Sequence, residues 1–404
     1  MTSAAGARAL ALAACFAATA MAAEPPPLRN ALVDFGEPNL AAVWRRLRLV
    51  ETRVAKEPFR IMQLGDSHTA GDWFTHELRR VLQARFGDGG PGWLPPGRLP
   101  GQRSSQALLA NDPGWRVRVS RDGADGFPLG GAYGQAEAPS AGFSLDLRSN
   151  GTGGLWKLSL LLSGPAGSGV VVSGANGEAA RFSTTAAVSE WRLQTAFLDD
   201  VAQLRVRAVD EKALVGGVVL ERPATGVVLD GIGLNGAKAS LVRAWQSGEA
   251  AVQLRTRAPA IVILAFGTNE MVEPDLDADR YLDELQETVR WFRTALPQAA
   301  LVIVAPPDVA APGVKSACPP EPRWGTVVRT VLRKVAREGR TLYWDWQFAM
   351  GGRCAIRRWA GATPPWANGD LVHLTEPGYA ASAAQLAGEL IALYDQRVRL
   401  RGRL

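Results

Sequence analysis

The chain has 404 residues, of which 47% are hydrophobic and 21% are charged. This composition excludes wholesale disorder and allows a large core in more than one domain. The formal net charge is +6, but the Lys and Arg residues are scattered and no five basic residues are consecutive. That pattern argues against nucleic-acid binding, although a mild positive field would favour an anionic polymer as partner.

The N-terminus predicts export. Arg8 is the only charged residue before Glu24, and an Ala- and Leu-rich stretch between them ends in small residues at 20–23. These features are typical of a signal peptide, which we predict over 1–23. The stretch is shorter than the roughly 20 residues of a spanning helix, so cleavage is favoured over a membrane anchor. The tetrapeptide ending at Cys15 resembles a lipoprotein cleavage box, and lipidation there is the second alternative.

The next segment predicts a strand, a tight turn and a helix. Residues 40–55 have helical apolar spacing. A short apolar strand follows at 59–64 and stops at Gly65. A second amphipathic helix then carries its apolar residues on one face, namely Phe74, Leu78, Val81, Leu82 and Phe86.

Residues 87–222 have a different texture, rich in Gly, Pro and Ser. Short β-rich stretches occur at 143–147, 156–162, 170–173 and 204–209, with turn signals such as Asn176-Gly177. This pattern favours a β-sandwich. Because α/β segments flank it, we predict an inserted domain at 87–222 within a discontinuous domain at 28–86 and 223–404.

Strands and helices alternate in the second α/β segment. Predicted strands lie at 227–229, 260–265, 301–305 and 341–346, and predicted helices at 277–296, 323–338 and 377–393. Continuous apolar runs such as 260–265 are expected of parallel strands that are buried on both faces. The alternation predicts a doubly wound α/β sheet, whose sites form at the carboxyl ends of the strands.

Four segments near those strand ends carry conspicuous polar or glycine residues. They are Gly65-Asp66-Ser67-His68, Asn235-Gly236, Gly267-Thr268-Asn269-Glu270 and Asp370-Leu371-Val372-His373. Each alone has a structural explanation, because Ser, Asp and Asn cap helices, Gly forms turns and an Asp–His pair can be a surface contact. Together, in this order at strand ends, they favour catalysis.

Ser67 is the candidate nucleophile. A serine at a strand-to-helix turn is exposed, but its hydroxyl needs an adjacent base. The chain has three histidines: His68 should point away from Ser67, and His76 lies within the following helix. His373 has Asp370 three residues before it, which can fix the imidazole tautomer and leave the other nitrogen to accept the serine proton.

The tetrahedral intermediate of acyl transfer needs hydrogen-bond donors for its oxyanion. The N–H of Ser67 is one candidate. The N–H of Gly236 is another, because glycine allows close approach of the backbone. The side-chain amide of Asn269 is the third.

Two cysteines, Cys318 and Cys354, remain once the leader is removed. In an exported protein such a pair predicts one disulfide, and two separate buried thiols are the alternative. Neither cysteine has metal-ligand spacing.

The four polar segments resemble the signature blocks of the SGNH (GDSL-type) hydrolases. The resemblance covers about residues 38–86 and 223–398 and implies a flavodoxin-like three-layer α/β fold with a parallel sheet. It also implies Ser67, His373 and Asp370 as the triad, with Gly236 and Asn269 as oxyanion donors, and neither cofactor nor metal. The first block reads GDSH here instead of GDSL.

Residues 65–72, 86–93 and 101–103 are similar to exported peptidoglycan O-acetylesterases of Gram-negative bacteria. This resemblance implies a carbohydrate-module-like insertion, a periplasmic location and removal of acetyl groups from the C6 hydroxyl of N-acetylmuramic acid. The expected partner is an O-acetylated glycan and not a nucleic acid, with no transmembrane segment after leader removal. A polysaccharide O-acetyltransferase with the same triad and a non-catalytic glycan-binding protein are the alternatives.

Five tryptophans near the first block or in the insertion could stack on sugar rings. They are Trp73, Trp93, Trp115, Trp156 and Trp191. For any one of them, packing in the core is favoured over sugar binding.

Overall fold

The computed structural model describes residues 28–120, 126–148, 151–184, 190–223, 226–244, 248–311 and 316–401. The predicted signal peptide, with Cys15, lies outside these residues. Among the described residues, no helix is both long enough and apolar enough to cross a membrane.

The elements follow one another in three groups along the chain. The first group is β1 (Leu32–Asp34), α1 (Leu40–Glu51), β2 (Phe59–Gly65), α2 (Ser67–Ala70) and α3 (Trp73–Phe86). The second group is β3 (Gly92–Leu94), β4 (Ala107–Asn111), β5 (Trp115–Val119), β6 (Ala132–Ala136), β7 (Gly142–Leu147), β8 (Gly153–Ser163), β9 (Gly169–Gly174), β10 (Gly177–Ser183), β11 (Arg192–Asp200), β12 (Gln203–Ala208) and β13 (Leu214–Glu221). The third group is β14 (Val227–Gly233), α4 (Ser240–Ala244), α5 (Gly248–Arg257), β15 (Ile261–Ala265), α6 (Ala278–Ala295), β16 (Ala300–Ala305), α7 (Gly325–Glu338), β17 (Leu342–Asp345), α8 (Trp346–Ala349), α9 (Ala355–Ala360) and α10 (Glu376–Arg401).

The first and third groups share one sheet, in the order β1-β17-β16-β15-β2-β14. The last five strands of this order are parallel, as predicted, whereas β1 is antiparallel to β17. An antiparallel edge strand on an otherwise parallel sheet is common. The sequence did not indicate β1, because three residues are too few to show a periodic pattern.

Helices cover both faces of this sheet. Successive strand residues point to opposite faces, so Ile61 and Met62 of β2 enter different cores. Ile61 packs with α1, α3 and α10, whereas Met62 packs with α5, α6 and α7. The three-layer α/β fold that the resemblance implies is confirmed.

The second group of elements forms a β-sandwich. One antiparallel sheet has the order β10-β9-β12-β7-β4, and the other has the order β11-β8-β13-β6-β5 with β3 beside β13. Leu145 and Val172 of the first sheet share a core with Leu160 of the second. The predicted inserted β-sandwich is therefore present.

The sandwich packs directly on the α/β unit. Leu161 of β8 and Val219 of β13 point away from the sandwich core, because side chains alternate along a strand. They join Trp93 and Trp191 in the apolar core that also contains α5 and α6. The insertion thus shares a core with the unit that it interrupts.

A buried ion network links the end of the sandwich to the sheet. Glu221, the last residue of β13, pairs with Arg60 and with Arg257 at 2.7 Å each, and Arg257 pairs with Asp230 of β14 at 2.8 Å. Asp230 also accepts a 2.9 Å hydrogen bond from the N–H of Trp93. Because an unpaired buried charge is costly, these groups fix one another where the chain re-enters the α/β unit.

Candidate active site

Three neighbouring strands bring predicted site residues to one edge of the sheet. The last residues of β14 and β15 lie opposite Gly65, the last residue of β2. Ser67, Gly236 and Asn269 come two, three and four residues after the ends of β2, β14 and β15. The sheet order therefore places the candidate nucleophile between the two candidate oxyanion donors.

A tight turn presents Ser67 at the start of α2. Asp66 caps this short helix, because its carboxylate accepts a 3.0 Å hydrogen bond from the N–H of His68. Gly65 has no room for a side chain, since a Cβ atom there would collide with the hydroxyl of Thr69. Ser67 is partly exposed while Asp66 and His68 are buried.

Ser67, His373 and Asp370 form a continuous hydrogen-bonded line. Ser67 Oγ lies 2.9 Å from His373 Nε2, and His373 Nδ1 lies 2.8 Å from Asp370 Oδ2. The other carboxylate oxygen of Asp370 accepts the backbone N–H groups of Val372 and His373 at 3.0 Å each. This geometry favours the tautomer that has a proton on Nδ1 and leaves Nε2 to accept the serine proton.

Asp370 is held in its charged form. Partial burial opposes its ionisation, but hydrogen bonds from Val372 N–H and from the ring and N–H of His373 outweigh that effect and keep its pKa below the ordinary value. The side chains of His373 and Asp370 are 39% and 47% exposed. A polymer can therefore reach this pair from solvent.

The side chains of the other two histidines have other hydrogen-bond partners. His68 Nδ1 lies 2.8 Å from the hydroxyl of Tyr379, and burial together with the nearby His373 lowers the pKa of His68 to about 3. His76 Nδ1 lies 3.2 Å from Gln106 Nε2. His68 is thus a neutral ring behind the triad, with its centroid 5.4 Å from that of His373.

The two candidate oxyanion segments are bonded to each other. Asn269 Nδ2 donates a 2.8 Å hydrogen bond to the carbonyl of Ala237, and a carboxylate oxygen of Glu270 accepts the N–H of Ala239 at 2.7 Å. Gly236 is exposed and has a φ of +77°, a conformation that favours glycine. Two side chains thus hold the loop that carries Gly236.

Two buried carboxyl groups lie beneath these segments. Burial raises the pKa of Asp66 to about 6, although the nearby N–H of His68 and the N–H and hydroxyl of Thr268 favour its charged form. Burial also raises the pKa of Glu270 to about 7, and the nearby Asp66 contributes. The sequence reasoning gave Glu270 no role. Its position directly after Asn269 in a strand-end block was the available signal.

Cys318 and Cys354 are joined in the structure. A disulfide links Cys318, in the segment after β16, to Cys354, which precedes α9, and their Cα atoms are 4.7 Å apart. Within the described ranges of the chain, no three His, Cys, Asp or Glu side chains are grouped so that they could hold a metal ion.

Most of the tryptophans considered for sugar stacking lie in cores. Trp93, Trp115, Trp156 and Trp191 are buried. Trp73, the first residue of α3, is partly exposed beside the turn that carries Ser67.

Two family models match the chain. The model described as "Peptidoglycan O-acetylesterase, N-terminal" matches residues 89–200, and that of the GDSL-like lipase/acylhydrolase family matches residues 210–381. No curated protein matches the sequence.

Solved structures are also similar. One of a peptidoglycan O-acetylesterase is 31% identical, with a TM-score of 0.81, and the match covers 90% of this chain and 99% of that one. A Bacillus subtilis protein is 13% identical, with 76% and 97% covered and a TM-score of 0.37. A family two carbohydrate esterase from Cellvibrio japonicus is 13% identical, with 72% and 98% covered and a TM-score of 0.29. The last two likenesses are too weak to support an argument.

Proposed function

Because the chain belongs to the peptidoglycan O-acetylesterase family, we propose that it removes O-acetyl groups from peptidoglycan through an acyl-Ser67 intermediate. The chain is a carboxylic ester hydrolase of the GDSL acylhydrolase type. The observation that carries the proposed mechanism is the hydrogen-bonded line from Asp370 through His373 to Ser67.

In the acylation step, Ser67 Oγ attacks the acetyl carbonyl carbon while His373 Nε2 takes the hydroxyl proton. Asp370 stabilises the imidazolium that forms. The oxyanion accepts hydrogen bonds from the N–H groups of Ser67 and Gly236 and from Asn269 Nδ2. When the intermediate collapses, the bond from the acetyl carbon to the sugar oxygen breaks, and that oxygen takes the proton from His373.

The deacylation step repeats this chemistry with water. His373 Nε2 takes a proton from a water molecule, whose oxygen attacks the acetyl carbon bound to Ser67. Collapse of the second intermediate returns the proton to Ser67 Oγ and releases acetate. The same three donors stabilise both oxyanions.

The finer assignments are also proposals. The acetyl group is the one on the C6 hydroxyl of N-acetylmuramic acid, and the enzyme works in the periplasm after removal of residues 1–23. The alternative is that the exported protein is anchored by a lipid on Cys15. The domains divide at 28–86, 87–222 and 223–404, which is supported by the direct pairing of β14 with β2 on either side of the sandwich.

Acetate release from three substrates tests this function. O-acetylated peptidoglycan, acetylated xylan and a small aryl acetate would be compared at equal ester concentration, with and without a sugar acceptor. We expect the fastest release from peptidoglycan, with water as acceptor. Faster release from xylan would contradict the assignment of peptidoglycan as the substrate. Acetyl transfer to the sugar acceptor without acetate release would identify an acetyltransferase.

A further inference from the structure

A segment of the insertion reaches the active site. Residues 99–106, called the arm here, are part of the connection between β3 and β4. At one end, the carbonyl of Gly101 accepts a 2.8 Å hydrogen bond from the side chain of Asn235, which precedes Gly236. At the other end, the N–H and hydroxyl of Ser105 donate to Asp72, just before α3, at 2.7 and 2.5 Å. The arm is thus bonded on both sides of the turn that carries Ser67.

Arg103 lies between these two anchor points. Its guanidinium carbon is 3.3 Å from the centre of the Trp73 ring, a geometry that holds the planar group flat against the indole. Its Nη1 atom is buried and has no hydrogen-bond partner among the described residues. The structure therefore holds a cation against Trp73 and leaves its Nη1 without a hydrogen-bond partner among the described residues.

Two carboxylates act electrostatically on this guanidinium, but among the described residues neither forms a hydrogen bond with it. Burial lowers the pKa of Arg103, and the carboxylates of Asp72 and Glu376 act against that effect without bonding to it. Asp72 already accepts hydrogen bonds from Ser105 and Thr75. Since an arginine stays charged at any physiological pH, the site has positive charge to offer an anion.

The arm also lines a cleft between the sandwich and the α/β unit. Its walls include Thr69 of α2 and four consecutive or near-consecutive polar residues of the arm, namely Gln102, Arg103, Ser104 and Gln106. Its polar wall suits a hydrated, charged polymer.

We propose that Arg103 binds a carboxylate of the substrate and so selects an acidic glycopolymer over neutral acetylated glycans. This inference rests on the proposed function. Its chemistry is the match between a planar guanidinium and a carboxylate. Muramic acid carries a lactyl group on C3 of the acetylated ring. Its carboxyl is free when no peptide is attached and is otherwise an amide of the stem peptide, which has carboxylates of its own, whereas neutral xylo-oligosaccharides have none. Trp73 holds the guanidinium in place.

Arg103→Gln tests the proposal, with Arg98→Gln as the matched control. Arg98 is an exposed arginine that precedes the arm, and it contacts Asn111 only through its backbone. On soluble O-acetylated peptidoglycan fragments, we expect Arg103→Gln to lower kcat/KM on the order of tenfold, mainly through KM. A neutral aryl acetate should be hydrolysed at the wild-type rate by both variants.

Modified fragments separate charge from shape and identify the source of the carboxylate. Amidation of the carboxylates should slow the wild type to the rate of Arg103→Gln and leave that variant unaffected. In fragments stripped of stem peptides, the lactyl carboxyl, which is an amide in the peptide-bearing substrate, becomes a free carboxylate. Dependence on Arg103 only in the stripped fragments would assign the contact to the lactyl group, and dependence only in the peptide-bearing fragments would assign it to the peptide.

Three results would overturn the proposal. Equal losses on the aryl acetate and the fragments would make Arg103 structural. An unchanged kcat/KM on the fragments would remove the contact, and an equal effect of amidation on wild type and variant would place the carboxylate elsewhere. If the wild type cleaved the aryl acetate but no peptidoglycan fragment, the proposed function itself would fail, and the Arg103 assignment with it.

Discussion

Asn269 donates a 2.8 Å hydrogen bond from its side-chain amide to the carbonyl of Ala237. One side chain thereby connects the segments that follow β14 and β15, where the two candidate oxyanion donors lie. A primary amide has two N–H bonds, so one remains available to an oxyanion while the other holds the loop of Gly236. Positioning and charge stabilisation are therefore coupled in this residue.

Asn269→Ala removes both contributions. We expect kcat to fall by about 10²–10³-fold, as for the loss of one oxyanion donor, with KM little changed. Steady-state hydrolysis of an aryl acetate measures this, beside a melting curve that matches the wild type. A loss below about threefold would exclude Asn269 as a donor.

Asp370→Asn tests the orientation of the base. The amide oxygen can still accept the N–H groups of Val372 and His373, so the local fold should persist, but the charge opposite His373 Nδ1 is lost. We expect kcat to fall by about 10²–10⁴-fold, the upper figure being that of a more buried triad. Retention of the wild-type kcat between pH 6 and 8 would contradict the role of Asp370.

Glu270 makes the stability of the fold depend on pH. Its pKa is raised from 4.5 to about 7 by burial, so between these values the folded chain holds a proton that the unfolded chain has lost. The free energy of unfolding should therefore fall as pH rises through this window, with the buried Asp66 acting in the same direction.

Glu270→Gln should flatten that dependence, because glutamine can still accept the N–H of Ala239 without titrating. The free energy of unfolding of the variant minus that of the wild type should be larger at pH 8 than at pH 5. The gain is at most about 3 kcal/mol, since each pKa unit corresponds to about 1.4 kcal/mol. Denaturant unfolding at both pH values measures it. If the free energy of unfolding changed equally with pH in the two proteins, Glu270 would not be the cause of the pH dependence.

The disulfide between Cys318 and Cys354 closes a loop of 36 residues. Its removal in a Cys318→Ser, Cys354→Ser variant should lower the free energy of unfolding by about 3–4 kcal/mol. The prior check is a thiol titration of the unfolded, unreduced protein, which should find neither cysteine free. Two reactive thiols would show that the bond is absent.

Long apolar strands and the scarcity of histidines made much of this molecule predictable. The runs at 260–265 and 301–305 match β15 and β16 to within one residue, because strands that are buried on both faces read as continuous apolar sequence. With three histidines in the chain, elimination pointed to the one that lies 2.9 Å from Ser67 in the structure.

Element ends followed local backbone geometry that the apolar pattern does not encode. α1 was predicted to reach residue 55 but ends at Glu51, and Arg53 takes a positive φ of 59°. Helix α10 extends beyond the predicted residue 393 to Arg401, through charged turns without apolar periodicity. Glu270 had one local signal, its position directly after Asn269. The role of Arg103 depends on contacts between segments that are distant in sequence, so no local pattern could indicate it.

We propose that Ser67 carries the acetyl group in the covalent intermediate, and acetate release by a Ser67→Ala variant is the decisive measurement. Wild type and variant would be incubated with O-acetylated peptidoglycan at equal concentration, after a melting curve shows the same fold. We predict that the variant releases acetate at least about 10⁴-fold more slowly, because loss of the nucleophile abolishes the covalent route. Acetate release by a folded Ser67→Ala protein at the wild-type rate would contradict the mechanism.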